Sequence, residues 1–488
     1  MHPIGRRAFL GLNAAALAGG LWPRRSGFLS QGSDRMVYHL RYDADAQGRL
    51  VVTMSPPVPH VGPVELVMPR AIPMGYGMAR YDDFVRGVRA WSPMREQLPI
   101  RRLDGPRWRV GRPGASIQWI RYVVDVNRME ERVFAASDAS KARESYLCLL
   151  GYSALGYLDG QEAVPVRIDV RGPVGWPVFS TLSPTGQPWP GPQSFNASDF
   201  YAAADSQILL GSAVQIRQLA GTRPLFLAGY AEGPADLNME GALIESAFRL
   251  VVEWFGGAPF PHYSAIVEYL RPVSPDHRYG FSMEHLDSST YFMERGRSLN
   301  ARSSAEDRER SRFNYAHHIA HSWIPKRVYG EGYFPFRWEL PPVLDTIWFS
   351  EGFARWIAID ALAAGAAPAE KGAYRARQLE RLAQTLSTLP GLFRATPLVS
   401  LSRVGSTQYS EDFRTGQALF CRGALLAEAV DARIRQGSAG SKGLRDALRA
   451  MLQWSARERR GFRLDELPRL VGGPVGVDLG PVFAKWLA

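Results

Sequence analysis

His317-His318-Ile319-Ala320-His321 is the stretch on which the reading of this chain turns. Three histidines stand within five residues, and six of the nine in the chain fall between His262 and His321. At 3.6 residues per turn, His317 and His321 lie one turn apart on one helix face. Imidazoles so placed converge on a cation at the ~2.0 Å typical of zinc–nitrogen bonds. Downstream, Trp348-Phe349-Ser350-Glu351-Gly352 sets a carboxylate inside an apolar helical pattern of Ile347, Trp348, Phe349, Phe353, Trp356 and Ile357. Burying a carboxylate without a partner is costly, and a metal is a good partner. Two histidines at helical spacing are by themselves commonplace core residues. The histidine cluster together with Glu351 favours a zinc site of His317, His321 and Glu351, with a fourth position open to water.

Around this core the chain runs to 488 residues, 46% hydrophobic and 22% charged, enough for two or three globular domains. No apolar run approaches the ~20 residues that span a bilayer. The net charge of +11 is spread as isolated arginines, without the aromatic-interleaved clusters of a nucleic-acid surface. Cys148 and Cys421 are far apart in apolar surroundings, which points to neither a disulfide framework nor a CxxC metal pair. Gly5-Arg6-Arg7-Ala8-Phe9-Leu10, the apolar stretch to Trp22 and Ala16-Leu17-Ala18 resemble a twin-arginine export signal over residues 1–30. The expected location is therefore periplasmic or otherwise exported.

From residue 36 to 182 the pattern is β-like: Val37–Tyr42 and Leu50–Met54 flank a Gln47-Gly48-Arg49 turn, and Ser116–Val126 and Val164–Val170 read as further strands. A Pro/Gly-rich linker is expected over 183–193. Residues 194–488 read as mostly helical, with helices over 236–255, 312–323, 346–363, 367–387, 414–435 and 441–457, and a strand at Val267–Leu270. The expected architecture is α+β multidomain: an antiparallel sandwich-like β domain followed by a thermolysin-like, mainly helical one.

Four blocks in order carry a family resemblance. His317 to His321 followed by Trp323-Ile324-Pro325-Lys326-Arg327 is similar to H-E-F-F-H with W-N-V-K-R. Ile347 to Phe353 is similar to L-W-F-S-E-G-F, Phe281-Ser282-Met283-Glu284-His285 to G-G-L-E-H, and Leu419-Phe420-Cys421-Arg422-Gly423-Ala424-Leu425 to Y-Y-x-K-G-A-L. In the front half, Met68-Pro69-Arg70-Ala71-Ile72-Pro73-Met74-Gly75-Tyr76 adds to it. The chain thus resembles the glycyl-aminopeptidase family of gluzincin zinc metallopeptidases, peptidase family M61, without the C-terminal PDZ module of many relatives. The resemblance implies one zinc ion on His317, His321 and Glu351. It also implies a peptide-binding cleft in which Glu284, with His285, Phe281 and Phe420 around it, meets the substrate's amino end or backbone.

Four positions depart from that pattern. His318 replaces the glutamate that takes a proton from the metal-bound water, a role typically contributing 10²–10⁴ in rate. Phe420 replaces the tyrosine expected to donate to the oxyanion, a loss typically of 10²–10³. Phe281 and Ser282 replace two glycines and put side chains where an extended peptide approaches the backbone. The leading expectation is a zinc-binding peptidase-family protein whose classical chemistry is lost or altered. Other readings are a zinc enzyme using His318 as acid/base on a non-peptide substrate, a weakly active aminopeptidase, and a non-catalytic peptide-binding or chaperone-like protein.

Overall fold

The architecture was obtained as a computed structural model, which describes residues 34–43, 47–133, 138–184, 193–409 and 411–487; the expected export signal lies outside them.

Alternating burial builds the front of the chain. In Arg49–Ser55 the residues Leu50, Val52 and Met54 are buried and alternate with more exposed neighbours, as a sheet with one face on a core requires. The expected hairpin forms, pairing Leu40 with Val52, and Gln47 and Gly48 both take left-handed backbone at its turn. These strands belong to an eight-stranded sheet that packs with smaller sheets over one apolar core. One pairing departs from the antiparallel expectation: Met36–Arg41 runs parallel to Val166–Arg171. The run read as Ser116–Val126 divides at Gln118 into Ser116–Ile117 and Trp119–Asp125, and Val126 opens a short helix capped by Asp125.

The β domain also runs past the linker drawn at 183–193. Gln193–Ala197 pairs with Val166–Arg171, and Gln207–Leu210 pairs with Tyr146–Leu150. The sheet therefore continues past the expected linker; residues 185–192 lie outside the described ones.

Beyond it, a five-stranded mixed sheet comes before the helices. Its strands are β1 (Gln215–Leu219), β2 (Leu225–Ala231), β3 (Tyr263–Leu270), β4 (Gly280–Glu284) and β5 (Ser288–Glu294), in the order β1-β2-β3-β5-β4. Of these only part of β3 is legible from periodicity, because β3 is buried at every position and shows no alternation. The sheet lies between the two apolar cores: Ile266 and Phe292 pack toward the β domain, Ala265 and Tyr291 toward the helices. Strand β4 is an edge, paired only with β5.

Six principal helices form where expected, five of them within a few residues: α1 (Leu237–Phe255), α2 (Ala305–His321), α3 (Ile347–Ala364), α4 (Lys371–Thr388), α5 (Phe413–Gly437) and α6 (Leu444–Glu458). Helix α1 begins where Asp236 accepts from the amides of Asn238 and Met239 and stops at left-handed Gly256. Helix α2 starts earlier than its apolar residues suggest. Ser304 and Asp307 form a reciprocal capping box, so a polar, solvent-facing stretch precedes the buried run Tyr315–His321. Helix α3 is buried along nearly its whole length, against α2 and α5. Among the described residues no helix is long and apolar enough to cross a membrane.

Candidate metal centre and its cleft

Helices α2 and α3 bring His317, His321 and Glu351 together, with their ligand atoms all within 4.8 Å of one another. His317 Nε2 lies 3.2 Å from His321 Nε2, and Glu351 Oε2 lies 3.6 and 3.4 Å from those two nitrogens. A tetrahedral zinc with bonds of ~2.0–2.1 Å holds its ligand atoms about 3.3 Å apart, so the donor set fits that ion. His321 Nδ1–H donates to the carbonyl of Ile324 at 2.9 Å, which leaves Nε2 as the ligating nitrogen. Without a cation the cluster carries its charge on one ring. Burial opposes protonation of His321, yet the carboxylates of Glu284 and Glu351 prevail and raise it to about 9. Burial, reinforced by His321 and Arg355, pushes His317 well down.

His318 stands apart from this cluster. Its Nδ1–H donates to the carbonyl of Asn314, one turn back, at 2.9 Å, so only Nε2 is left to accept a proton. The ring faces the cleft, edge-on to Tyr291 at 5.5 Å. Burial, with the neighbouring His317, lowers it to about 3. It is a neutral imidazole where the resemblance expects a carboxylate.

The cluster opens into a cavity of about 810 Å³ lined by Phe281, Glu284, His318, Glu351, Tyr409 and Phe420, among others. Glu284 is 5% exposed, with Oε1 making no hydrogen bond and lying 3.8 Å from His321 Nδ1. Phe420 presents its ring edge-to-face with His317 at 5.7 Å. Phe281 lies at the free edge strand, 6.4 Å from the ring of Phe413, and Ser282 Oγ accepts from Asn314 Nδ2 at 2.9 Å.

His285 is a correction. Neighbours on a strand point to opposite faces, and with Glu284 facing the cleft His285 turns inward, 1% exposed. There it bonds Asp205 Oδ1 at 3.0 Å and Thr290 Oγ1 at 3.2 Å. Lys326 Nζ donates to the other oxygen of Asp205 at 3.0 Å. This buried trio ties the β domain to the metal-bearing domain and does not meet the cleft.

Four more of the residues lining the cleft bear on its chemistry: Met74, Gly75, Tyr409 and Arg355. Met74 and Gly75 reach it from the β domain; Met74 and Tyr76 take left-handed backbone and pack in the core of the helical domain. Tyr409 leans on Tyr76 with ring centroids 5.3 Å apart, and among the described residues its hydroxyl makes no hydrogen bond. Tyr315, the other tyrosine near the cluster, has its hydroxyl committed to Glu240. Arg355 follows Glu351 by one turn of α3 and lines the same cleft. The clue to it in the sequence is a lone cation within an apolar helix.

Residues 37–212 match the Peptidase M61 N-terminal domain. Over more than nine-tenths of its length the chain shares its fold with solved aminopeptidase structures. It is similar to an aminopeptidase N family protein from Idiomarina loihiensis, with TM-score 0.80, 18% identity, and 93% of this chain and 76% of that one covered. It is also similar to an M1 zinc metallopeptidase from Deinococcus radiodurans, with TM-score 0.56, 15% identity, and 94% and 96% covered. A mutant of the Deinococcus protein bound to a Tyr-Ser-Ala substrate aligns with TM-score 0.54 at 15% identity, covering 93% of each chain. No curated protein matches. The α+β architecture expected from the sequence, a β-rich domain followed by a helical one, is the one these neighbours have.

Proposed function

We propose that this chain is an exported, zinc-binding relative of the aminopeptidases that holds a peptide or small-molecule ligand in its cleft and no longer performs classical peptide hydrolysis. One observation carries the reading: both residues facing the metal cluster that should handle protons are replaced. His318 has Nδ1–H tied to Asn314, and Phe420, a ring without a hydroxyl, packs perpendicular to His317. Zinc held by His317, His321 and Glu351 would polarise a ligand carbonyl or a water. The residues left around it bind more readily than they relay protons. Strand β4 offers an unpaired backbone edge for an extended chain, and Glu284 offers a carboxylate for a cationic amino end.

The test uses the zinc-loaded mature chain on a panel of aminoacyl and peptide substrates. Turnover is expected to lie ~10⁴–10⁷ below an ordinary aminopeptidase. The His318→Glu/Phe420→Tyr double variant should gain measurable activity. Wild-type turnover in the usual enzyme range of about 1–10³ s⁻¹ would sink the reading. Export is checked by fractionation of the tagged full chain: replacing Arg6 and Arg7 by lysine should strand it in the cytoplasm.

A second reading is favoured by Tyr409, whose hydroxyl is uncommitted in the same cleft as Phe420. If it supplies the missing donor, the chain is a slow aminopeptidase, and Tyr409→Phe abolishes the residual turnover.

A further inference from the structure

Helix α3 is apolar except at three charged positions, Glu351, Arg355 and Asp360. Glu351 belongs to the metal cluster, and Asp360 accepts from Trp254 Nε1 at 2.8 Å and pairs with Arg375. Arg355 has no such partner. Its Nε is buried without a hydrogen bond, and among the described residues no carboxylate or carbonyl pairs with its guanidinium. Arginines placed in this protein for structure look different. Arg375 is paired with Asp360, Glu428 and Asp431, and Arg422 donates to the carbonyls of Phe393 and Thr396. A half-buried, uncompensated guanidinium is unfavourable unless something completes it.

The setting says what would complete it. The guanidinium carbon sits 5.4 Å from the ring centroids of both Phe313 and Phe420. Aromatic faces hold a cation in place without consuming its hydrogen-bond donors. The group lines the cleft one helical turn beyond Glu351. Asp307 on the cleft wall caps α2, and Glu284 lies beside His321, so neither pairs with Arg355. Arg297 and Arg302, both exposed, line the outer part of the same cavity. Phe420 thereby acquires a purpose: where a tyrosine would offer a hydroxyl to the reaction, a phenyl ring seats an arginine.

We propose that Arg355 is an anion-binding residue of the cleft, receiving a carboxylate of the bound ligand through its planar fork of N–H donors. The carboxylate is either the C-terminal group of a short peptide or an acidic side chain; both present the same two oxygens to a guanidinium. The inference rests on the reading of the cleft as a ligand site, but not on whether turnover has been lost.

Calorimetric titration of the zinc-loaded and the metal-free chain with matched probes tests it. One pair is Ala-Ala-Ala and its C-terminal amide; the other is Glu-Ala-Ala-amide and Gln-Ala-Ala-amide. In at least one pair the acid is expected to bind about tenfold or more tightly than its neutral match, as a charge-assisted pair implies. The preferred pair identifies the source of the carboxylate. Arg355→Met keeps the length of the side chain and removes the charge, so the acid-to-neutral ratio should fall to about one with no loss of melting temperature. Lack of preference in the wild type for both pairs, a preference surviving in Arg355→Met, or a variant destabilised by loss of a structural arginine would overturn the proposal. Because the readout is a ratio of affinities, a catalytically active wild type would refute the proposed function and leave this inference standing.

Discussion

His317 and His321 direct Nε2 at one point, 3.2 Å apart, so loss of either imidazole should cost the site its metal. The wild-type chain is expected to bind one zinc and to melt at a higher temperature with it. Saturation a hundredfold above Kd is worth about 2.7 kcal/mol. His317→Ala should abolish both the bound zinc, read by metal analysis, and the thermal shift; an unchanged shift would place the zinc elsewhere. Spacing made these residues legible, because a helix repeats every 3.6 residues and Glu351 sits conspicuously in an apolar run. Arg355 was not legible in its role. What distinguishes it is a missing partner, and partners are chosen by the fold from residues far away in sequence.

At the level of elements, backbone contact sets the geometry of the site. Gly352 and Gly423 face each other where α3 crosses α5: a Cβ on Gly352 would come within 2.3 Å of Gly423 Cα, and a Cβ on Gly423 within 2.2 Å of the Trp348 carbonyl. Gly423→Ala is therefore expected to destabilise the chain by about 1–3 kcal/mol as an overpacked core. It should also weaken zinc affinity, because α3 carries Glu351; denaturant midpoints and a zinc titration measure the two effects. Ser304→Ala, at the remote end of α2, should cost about 1 kcal/mol of stability and leave zinc affinity unchanged. The polar first turns of α2 carried no apolar period to read, although the Ser-x-x-Asp cap was there to be seen. The five-stranded sheet was mostly missed for two reasons: its inner strands, buried on both faces, look like any apolar run, and its two edge strands bury too little to show an alternation.

Across the whole molecule, the two domains are joined through charges as well as apolar surface. Asp205, buried between Lys326 and His285, feels burial raising its carboxyl, but those two partners outweigh it and hold it below its ordinary value. The folded state thus prefers the carboxylate. The trio's contribution is whole above about pH 4 and is lost as the pH falls through the depressed value. Asp205→Ala leaves Lys326 without its carboxylate, with only the Tyr201 hydroxyl to accept from it, and should cost about 3–5 kcal/mol at neutral pH. The gap from wild type should narrow in acid, seen as converging unfolding midpoints between about pH 4 and pH 2; a constant gap would mean the trio is not ionised. The same joining of domains has a further side. Met74 and Gly75 belong to the β domain yet line the cleft, and Met74 and Tyr76 bury themselves among the helices. A helical domain produced alone would be half a mould, with its metal ligands in place and its ligand's shape lost. In the intact chain, anything gripped by both halves also clamps them together, so that recognition and domain closure amount to a single equilibrium.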